Sequence, residues 1–357
     1  MNSDATTARI EHTVAIVVPV YRGEQVLPAL IEEIDRSTTS RVSAGGNRFR
    51  VSEVVLVHDV GPDLSDVAIR TLADQYDYVR PVWLSRNFGQ HAATLAGMSS
   101  TSADWIVTMD EDGQHDPEAI GSMLDTALAT RAPVVYAEPT NAPPHSFFRN
   151  LTSRMAHWAA RLMGVGPNYR FHSFRLVLGE TGRGLAAYCG ESVYLDVALT
   201  WVVDRTATCP MAMREERGGR SGYSPRLLAS HFWRMVLTSG TRPLRLVALF
   251  GALLGFGALV LTGWVVWSRL THEVPVQGWT SVMVILLVTS GAVLFSLGIL
   301  AEYLAIASKS AMGKPLYLVV SDPAEGPLGR AAGEEAAAMQ VNAETAGRAE
   351  PALPTQG

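Results

Sequence analysis

Three carboxylates and an amide fall within five residues here: Asp110, Glu111, Asp112 and Gln114 follow the apolar run Trp105–Met109 and precede His115. Oxygen donors so closely spaced at the end of a strand suit a hard divalent cation, Mg²⁺ or Mn²⁺. Such a cation, held by few carboxylates, is usually completed by substrate phosphates. An acidic solvated turn has the same composition. What favours the metal is the buried strand in front and Gln114-His115 behind. His115 suits a metal or phosphate contact and equally a role behind the ligands.

The elements that must position these residues read as alternating strands and helices. Val14–Pro19 is an apolar strand, followed by a turn at Tyr21–Glu24 and a helix over Val26–Ile34. Ser37–Asn47 is polar and Gly-rich, hence a loop. Strand Val54–Val57 ends at His58-Asp59; helix Ser65–Asp77, strand Val79–Leu84, helix Gln90–Ser99 and strand Trp105–Met109 follow. This alternation predicts an α/β, Rossmann-like domain with a mostly parallel sheet. Ligands of such sheets sit beyond the carboxyl ends of the strands, where Pro19 to Tyr21, His58-Asp59 and Asp110–Asp112 converge. Further on, a helix over Phe147–Met163 sets Arg149 and Ser153 on one face. Strands are expected at Phe171–Leu178 and Ala207–Met213, before a Gly-rich basic loop, RGGRSGYS, at Arg217–Ser224.

A net charge of −5 gives no polyanion-binding signature, so nucleic acid is not an expected partner. Cys189 and Cys209 fit no metal-ligand spacing and read as free thiols. The opening residues MNSDATTARIEH lack the apolar stretch of a secretory signal. Leu246–Ser268 and Val274–Ala301 contain no charged residue. Each exceeds the roughly 20 apolar residues that cross a bilayer. Trp264, Trp267 and Trp279 suit an interface, and arginines before the first run, with Lys309 and Lys314 after the second, predict cytoplasmic termini. Pro225–Ser239 carries an apolar stripe expected of a helix lying on the membrane surface, or of an ordinary core-facing helix. After Pro323 the chain is Ala/Glu/Gly-rich and reads as a disordered tail.

Taken together, VPVYRGE (Val18–Glu24), LSRNFGQHAATLAGM (Leu84–Met98), DEDGQHDPE (Asp110–Glu118), Arg217–Tyr223, TRPLRL (Thr241–Leu246) and ILAEYLAIASKSAMGKPLY after the second run resemble a known family. They are similar to the family-2, GT-A-fold glycosyltransferases that glycosylate polyprenyl phosphates, over residues 12 to 320. That resemblance implies an inverting transfer of a hexose from a nucleotide sugar, UDP-glucose being the first guess, to a polyprenyl phosphate at the cytoplasmic face of the plasma membrane. It implies metal ligation by Asp110, Asp112 and Gln114 and acceptor-phosphate binding by Arg149 and Ser153. Arg217 and Ser221 would cover the donor diphosphate, and Pro19, Tyr21, Glu24, Asp59 and Glu111 would line the donor site. Catalysis would rest on Asp112, Arg149 and Arg217.

The chain departs from the family pattern at His58, at Ser173 in place of an acidic residue, at Ala137–Thr140 where a basic residue is usual, and at Gly222. These departures motivate an alternative, a catalytically impaired membrane scaffold or regulatory subunit. Transfer to a sugar hydroxyl would instead require a free carboxylate, for which Asp196 and Asp204 are candidates. Arg86 and Asn87 read equally as donor contacts and as caps of the following helix. The expected organisation is a catalytic domain at 1–223, an interfacial helix at 224–242, a two-helix hairpin at 243–305, a membrane-proximal segment at 306–323 and the tail at 324–357. A homo-oligomer is compatible with it.

Overall fold

The computed structural model describes residues 10–141, 172–190, 195–214, 242–271, 278–312, 314–327 and 329. Strand β1 (Glu11–Val20) and β3 (Arg48–His58) form the centre, with α1 (Leu27–Asp35) and the short β2 (Arg41–Val42) between them. Then come α2 (Ser65–Gln75), β4 (Val79–Leu84), α3 (Gln90–Ser99), β5 (Trp105–Thr108), α4 (Ile120–Thr130) and β6 (Val134–Pro139). Beyond 172 follow β7 (Arg175–Leu178), α5 (Gly179–Tyr188), α6 (Leu195–Val202) and β8 (Thr206–Met211).

The sheet order is β8-β6-β7-β5-β1-β3-β4-β9, where β9 is Val319–Val320 and β2 hangs on β3. β1 runs parallel to both β3 and β5, and β3 parallel to β4. β7 is antiparallel to β5 and β6, so β6 and its parallel neighbour β8 point the same way as the central strands. The carboxyl ends of β1, β3, β4, β5, β6 and β8 therefore share one rim, and β7 begins there.

Both faces of the sheet are covered, which explains the unbroken apolar run of β1. Val14, Ile16, Val18 and Val20 pack with Leu27, Leu30 and Ile34 of α1 and Met123 and Leu124 of α4. Val17, with Val55 and Val57, packs on the other side against Leu95 and Met98 of α3 and Leu185 of α5. Two differences from the sequence expectation stand out. β3 starts six residues earlier than expected, because Arg48 to Glu53 alternate polar and apolar and extend the pairing with β1. The polar stretch expected as a loop contains β2, which pairs with the start of β3.

Two long helices, α7 (Arg242–Thr271) and α8 (Trp279–Ala311), touch each other and carry exposed apolar side chains such as Phe256, Trp267, Leu294 and Leu304. By length and composition one of them can cross a membrane: the window Val288–Ala305 in α8. The apolar stretch in α7, Val247–Leu261, is shorter. The expected interfacial helix Pro225–Ser239 lies outside the described residues.

Gly97 shows how tightly α3 is seated. A Cβ there would stand 2.3 Å from Val17 Cγ1 and 2.9 Å from Val57 Cγ2. Gly97→Ala is expected to destabilise the domain by about 1–3 kcal/mol through overpacking. Denaturant or thermal unfolding of the detergent-solubilised chain measures it.

Candidate functional site

The rim is organised by Asp110, Glu111 and Asp112, which follow β5 directly. A backbone bond from Met109 N to Val17 O at 3.0 Å carries the ladder one residue past β5 and aims the acidic loop across the end of β1. Glu111 reaches back over that end: its carboxylate accepts from Tyr21 N at 3.0 Å and from Arg22 N at 3.0 Å. Asp110 accepts from Gln90 Nε2 at 2.5 Å through Oδ1 and from the Ser173 hydroxyl through Oδ2. Asp112 Oδ1 accepts from Gln114 N at 3.0 Å, a turn-closing bond that Gly113 permits with φ of 72°.

Burial raises the pKa of all three carboxyls. For Asp110 the Ser173 hydroxyl, the Arg175 charge and the Gln90 amide oppose that rise. For Glu111 the two backbone N–H groups oppose it. Asp112 has the Gln114 N–H against it and the Asp110 charge adding to it. Such a cluster gains most from a cation.

Beneath the loop lies His115, 3% exposed and stacked on Phe174 with ring centroids 4.8 Å apart. Its Nδ1 accepts from Asp110 N at 3.0 Å, so the neutral imidazole carries its proton on Nε2, 3.9 Å from Asp110 Oδ2. His115 thus supports the loop from below. Next to it a buried ion pair joins Arg175 to Asp196, and Arg175 Nε donates to Thr108 Oγ1 at 3.0 Å. Thr108 in turn donates to Ser173 O at 2.5 Å. Ser173 therefore meets Asp110 because β7 begins at the rim and its entry is pinned to the end of β5.

The other expected donor-site residues have definite places. Pro19 is buried in β1 and Tyr21 stands 42% exposed on the rim. Glu24 accepts from Leu64 N at 3.3 Å, while its own N donates to Asp63. Asp59, 3% exposed, spends both oxygens on the backbone of the loop before α3: Phe88 N at 2.7 Å and Gly89 N at 2.8 Å. It holds that loop at the rim. Asn87 does not cap α3, whose N-cap Gly89 has no side-chain bond, and Arg86 lies over the Phe88 ring. Asp196 is paired with Arg175, and Asp204 lies before β8, at the edge opposite the rim; neither is a free carboxylate in the cleft. Cys189 and Cys209 are free thiols.

Arg149, Ser153, Arg217 and Ser221 lie outside the described residues, but the chain leading to them does not. Asn141 pairs with Met213 in both directions, Nδ2 to O at 2.6 Å and N to Oδ1 at 2.8 Å. Arg214 N donates to Gln114 O at 3.1 Å, and its guanidinium bridges Glu33 and Asp116. Of Gln90, Ser173, Asn141 and Arg214, which bond to the acidic loop or to the chain beside it, sequence analysis singled out Ser173 alone. The available signal was Ser173 at a position where the resembled family has an acid. The others are ordinary polar residues whose partners lie far along the chain.

The family model described as glycosyl transferase family 2 matches residues 15–188. The mostly parallel sheet is consistent with a GT-A arrangement. Among solved structures the chain is similar to S. aureus TarS 1-349, at 13% identity and a TM-score of 0.40 over 56% of this chain. It spans 59% of that structure's length. It is also similar to glucosyl-3-phosphoglycerate synthase from Mycobacterium tuberculosis in complex with Mn²⁺ and UDP-glucose. There the identity is 17%, the TM-score 0.45, and the coverage 65% of this chain and 79% of that one.

Burial lowers the pKa of His115 to about 4, with Arg175 and His172 pushing the same way and Asp112 opposing. An unfolded histidine titrates near 6.5. Between those values the unfolded chain binds more protons, so the contribution to stability is complete above about pH 6.5 and is lost as the pH falls toward 4. Unfolding midpoints measured across this window are expected to drop with acidification, and His115→Gln should flatten that slope.

Proposed function

On the premise of a glycosyl transferase family 2 domain over residues 15–188, we propose that the protein moves a hexose from a nucleotide sugar to a polyprenyl phosphate at a membrane surface. UDP-glucose is the first donor to test. The observation that carries this reading is the set of desolvated carboxylates on the rim, Asp110, Glu111 and Asp112, each held above its ordinary pKa by burial.

Those residues suit a hard cation. Carboxylate oxygens have about four lone-pair sites. The bonds from Gln90, Ser173 and Gln114 to Asp110 and Asp112 therefore leave ligating capacity. Among the described residues, no group of three His, Cys, Asp or Glu side chains could hold a metal by itself. Mg²⁺ or Mn²⁺ bound there would need Gln114, diphosphate oxygens and water to complete its coordination. When bound, the ion would supply Lewis-acid stabilisation of the charge developing on the departing diphosphate, worth several kcal/mol.

The chain's own groups supply the rest in this reading. An acceptor phosphate oxygen attacks the anomeric carbon, that C–O bond forms, and the bond to the nucleoside diphosphate breaks with its electron pair. The acceptor is already an anion, so Arg149 and Ser153 position it and no general base is required. Arg217 and Ser221 cover the donor diphosphate and exclude water. In sequence Arg217 and Ser221 follow closely on Arg214, whose N–H is bonded to Gln114 O next to the acidic loop. Pro19, Tyr21 and Glu24 bound the donor pocket, while Asp59 and Glu111 act on it through the backbone they hold.

In the same reading residues 1–223 form the catalytic domain and 224–242 an interfacial helix. The 243–305 hairpin crosses the plasma membrane twice with both termini cytoplasmic, and 306–323 lies close to the membrane before a 324–357 tail. The apolar exposure of α7 and α8 supports a membrane location. A second reading, an inactive scaffold, is favoured by the engagement of both Asp110 oxygens.

One assay separates the two: membranes holding the protein, a panel of labelled sugar nucleotides, Mg²⁺ or Mn²⁺, and polyprenyl phosphate. Sugar is expected in the lipid fraction. Asp112→Ala should reduce it by at least about a hundredfold, on the several-kcal/mol scale of the metal's contribution, and excess chelator should abolish it until metal is restored. Incorporation untouched by Asp112→Ala or by chelator would overturn the metal-dependent mechanism. No incorporation with any donor would favour the scaffold.

A further inference from the structure

The chain returns to the catalytic domain after α8. After seven residues beyond Ala311, 312–318, β9 joins the open edge of β4 with Val319 opposite Leu84 and Val320 opposite Trp83. Ser85 N donates to Leu318 O at 3.0 Å and extends the pairing. An exposed strand edge presents unpaired backbone groups, and here the protein covers it with its own chain. Leu316 and Tyr317 pack against the core cluster on the α3 side of the sheet, and Val320 against the other.

A charged clamp closes behind the strand. Arg70 of α2 grips Asp322 bidentately, Nε to Oδ2 at 2.7 Å and Nη2 to Oδ1 at 2.8 Å. The same guanidinium lies 4.8 Å from the Trp83 ring centroid and pairs with Asp66 at 2.8 Å. The Asp322 side chain is 12% exposed and that of Arg70 27%. A planar, two-point bond between partly desolvated groups is among the stronger and more directional ion pairs. Trp83 packs edge-on against His58, the neighbour of Asp59.

The direction of the strand matters most. β9 is antiparallel to β4, and Val319, its first residue, meets Leu84, the last residue of β4. The chain arriving from α8 therefore enters the sheet at the rim that carries Asp59 and Asp110. Seven linking residues limit the separation between the end of α8 and that rim to about 28 Å, even fully extended.

We propose that Leu316–Asp322 is a strap that fixes the cleft rim against the end of α8, with Asp322 and Arg70 as positioning residues for transfer to a membrane-borne acceptor. The proposal rests on the membrane-transferase reading above. An acceptor phosphate anchored in a bilayer lies at a fixed depth, so the rim must be held at a matching height. An acceptor free in solution imposes no such requirement. Misplacement of reacting groups by an ångström costs large factors in rate, and the strap is a described link between the rim and the chain leaving α8.

The test uses the full chain and the sugar nucleotide identified by the panel. Transfer to undecaprenyl phosphate in phosphatidylethanolamine/phosphatidylglycerol vesicles is compared with transfer to geranyl phosphate in detergent, for native protein, Asp322→Ala and Asp322→Glu. Asp322→Ala is expected to lose about tenfold in kcat/KM with the vesicle acceptor. It should stay within about twofold with geranyl phosphate, and Asp322→Glu should recover most of the loss. Hydrogen exchange in Trp83–Arg86 and Leu318–Ser321 should quicken in Asp322→Ala. Equal losses with both acceptors, no loss with either, or a loss without faster exchange would each overturn the strap. Native protein inactive on both phosphates would instead overturn the transferase reading, and is recognised because the native control itself fails.

Discussion

Crowding Asp110, Glu111 and Asp112 at the end of one strand partly withdraws three adjacent carboxylates from bulk water, and much of the rim can be understood as the response to that desolvation. A buried carboxylate without donors costs far more than one that accepts hydrogen bonds. Here each finds a different kind of donor. Glu111 takes two backbone N–H groups from the turn after β1, which welds the ends of two neighbouring strands. Asp112 is satisfied within its own loop. Asp110 draws neutral side-chain donors from α3 and from the entry to β7, with the Arg175 charge behind them. The donors that make the cluster tolerable also fix its shape, and the negative charge left over is what a cation would neutralise.

The antiparallel β7 is what brings Ser173 and Arg175 to this place. In an entirely parallel sheet the residues preceding a strand lie at the amino edge, away from the ligand rim. Reversing one strand puts its entry beside the acidic loop, and the Arg175–Asp196 pair, sealed under the sheet end with Thr108, anchors that entry. Breaking one partner of such a pair leaves an uncompensated buried charge, which is why these networks hold their geometry firmly. The serine at 173 supplies a hydrogen bond where an acid would have added a fourth negative charge.

The same economy runs through the donor side of the rim. Asp59 and Glu24 look in sequence like groups waiting for a ligand, yet both are bonded to neighbouring backbone. Their effect on a bound nucleotide would pass through the loops they hold, Phe88-Gly89 and Asp63-Leu64. At the far edge, β9 closes the sheet with chain that arrives from α8, and Arg70 holds it there through Asp322.

The residues alone determined the alternation of strands and helices, the shared rim and the acidic loop. These depend on local pattern: β4 and α3 run between the residues expected, because an apolar strand bounded by turns and a helix opened by glycine are short-range signals. Cys189 and Cys209 as free thiols, and long apolar helices near the carboxyl end, were legible for the same reason. What only the tertiary structure decided involves partners remote in sequence. Asp59 meets amides 29 and 30 residues away, Ser173 meets Asp110 at a separation of 63, and Asp322 meets Arg70 at 252. No local propensity specifies such pairs. A two-residue strand such as Val319–Val320 carries no pattern of its own, and it becomes a strand because an unpaired edge of β4 lies within its reach.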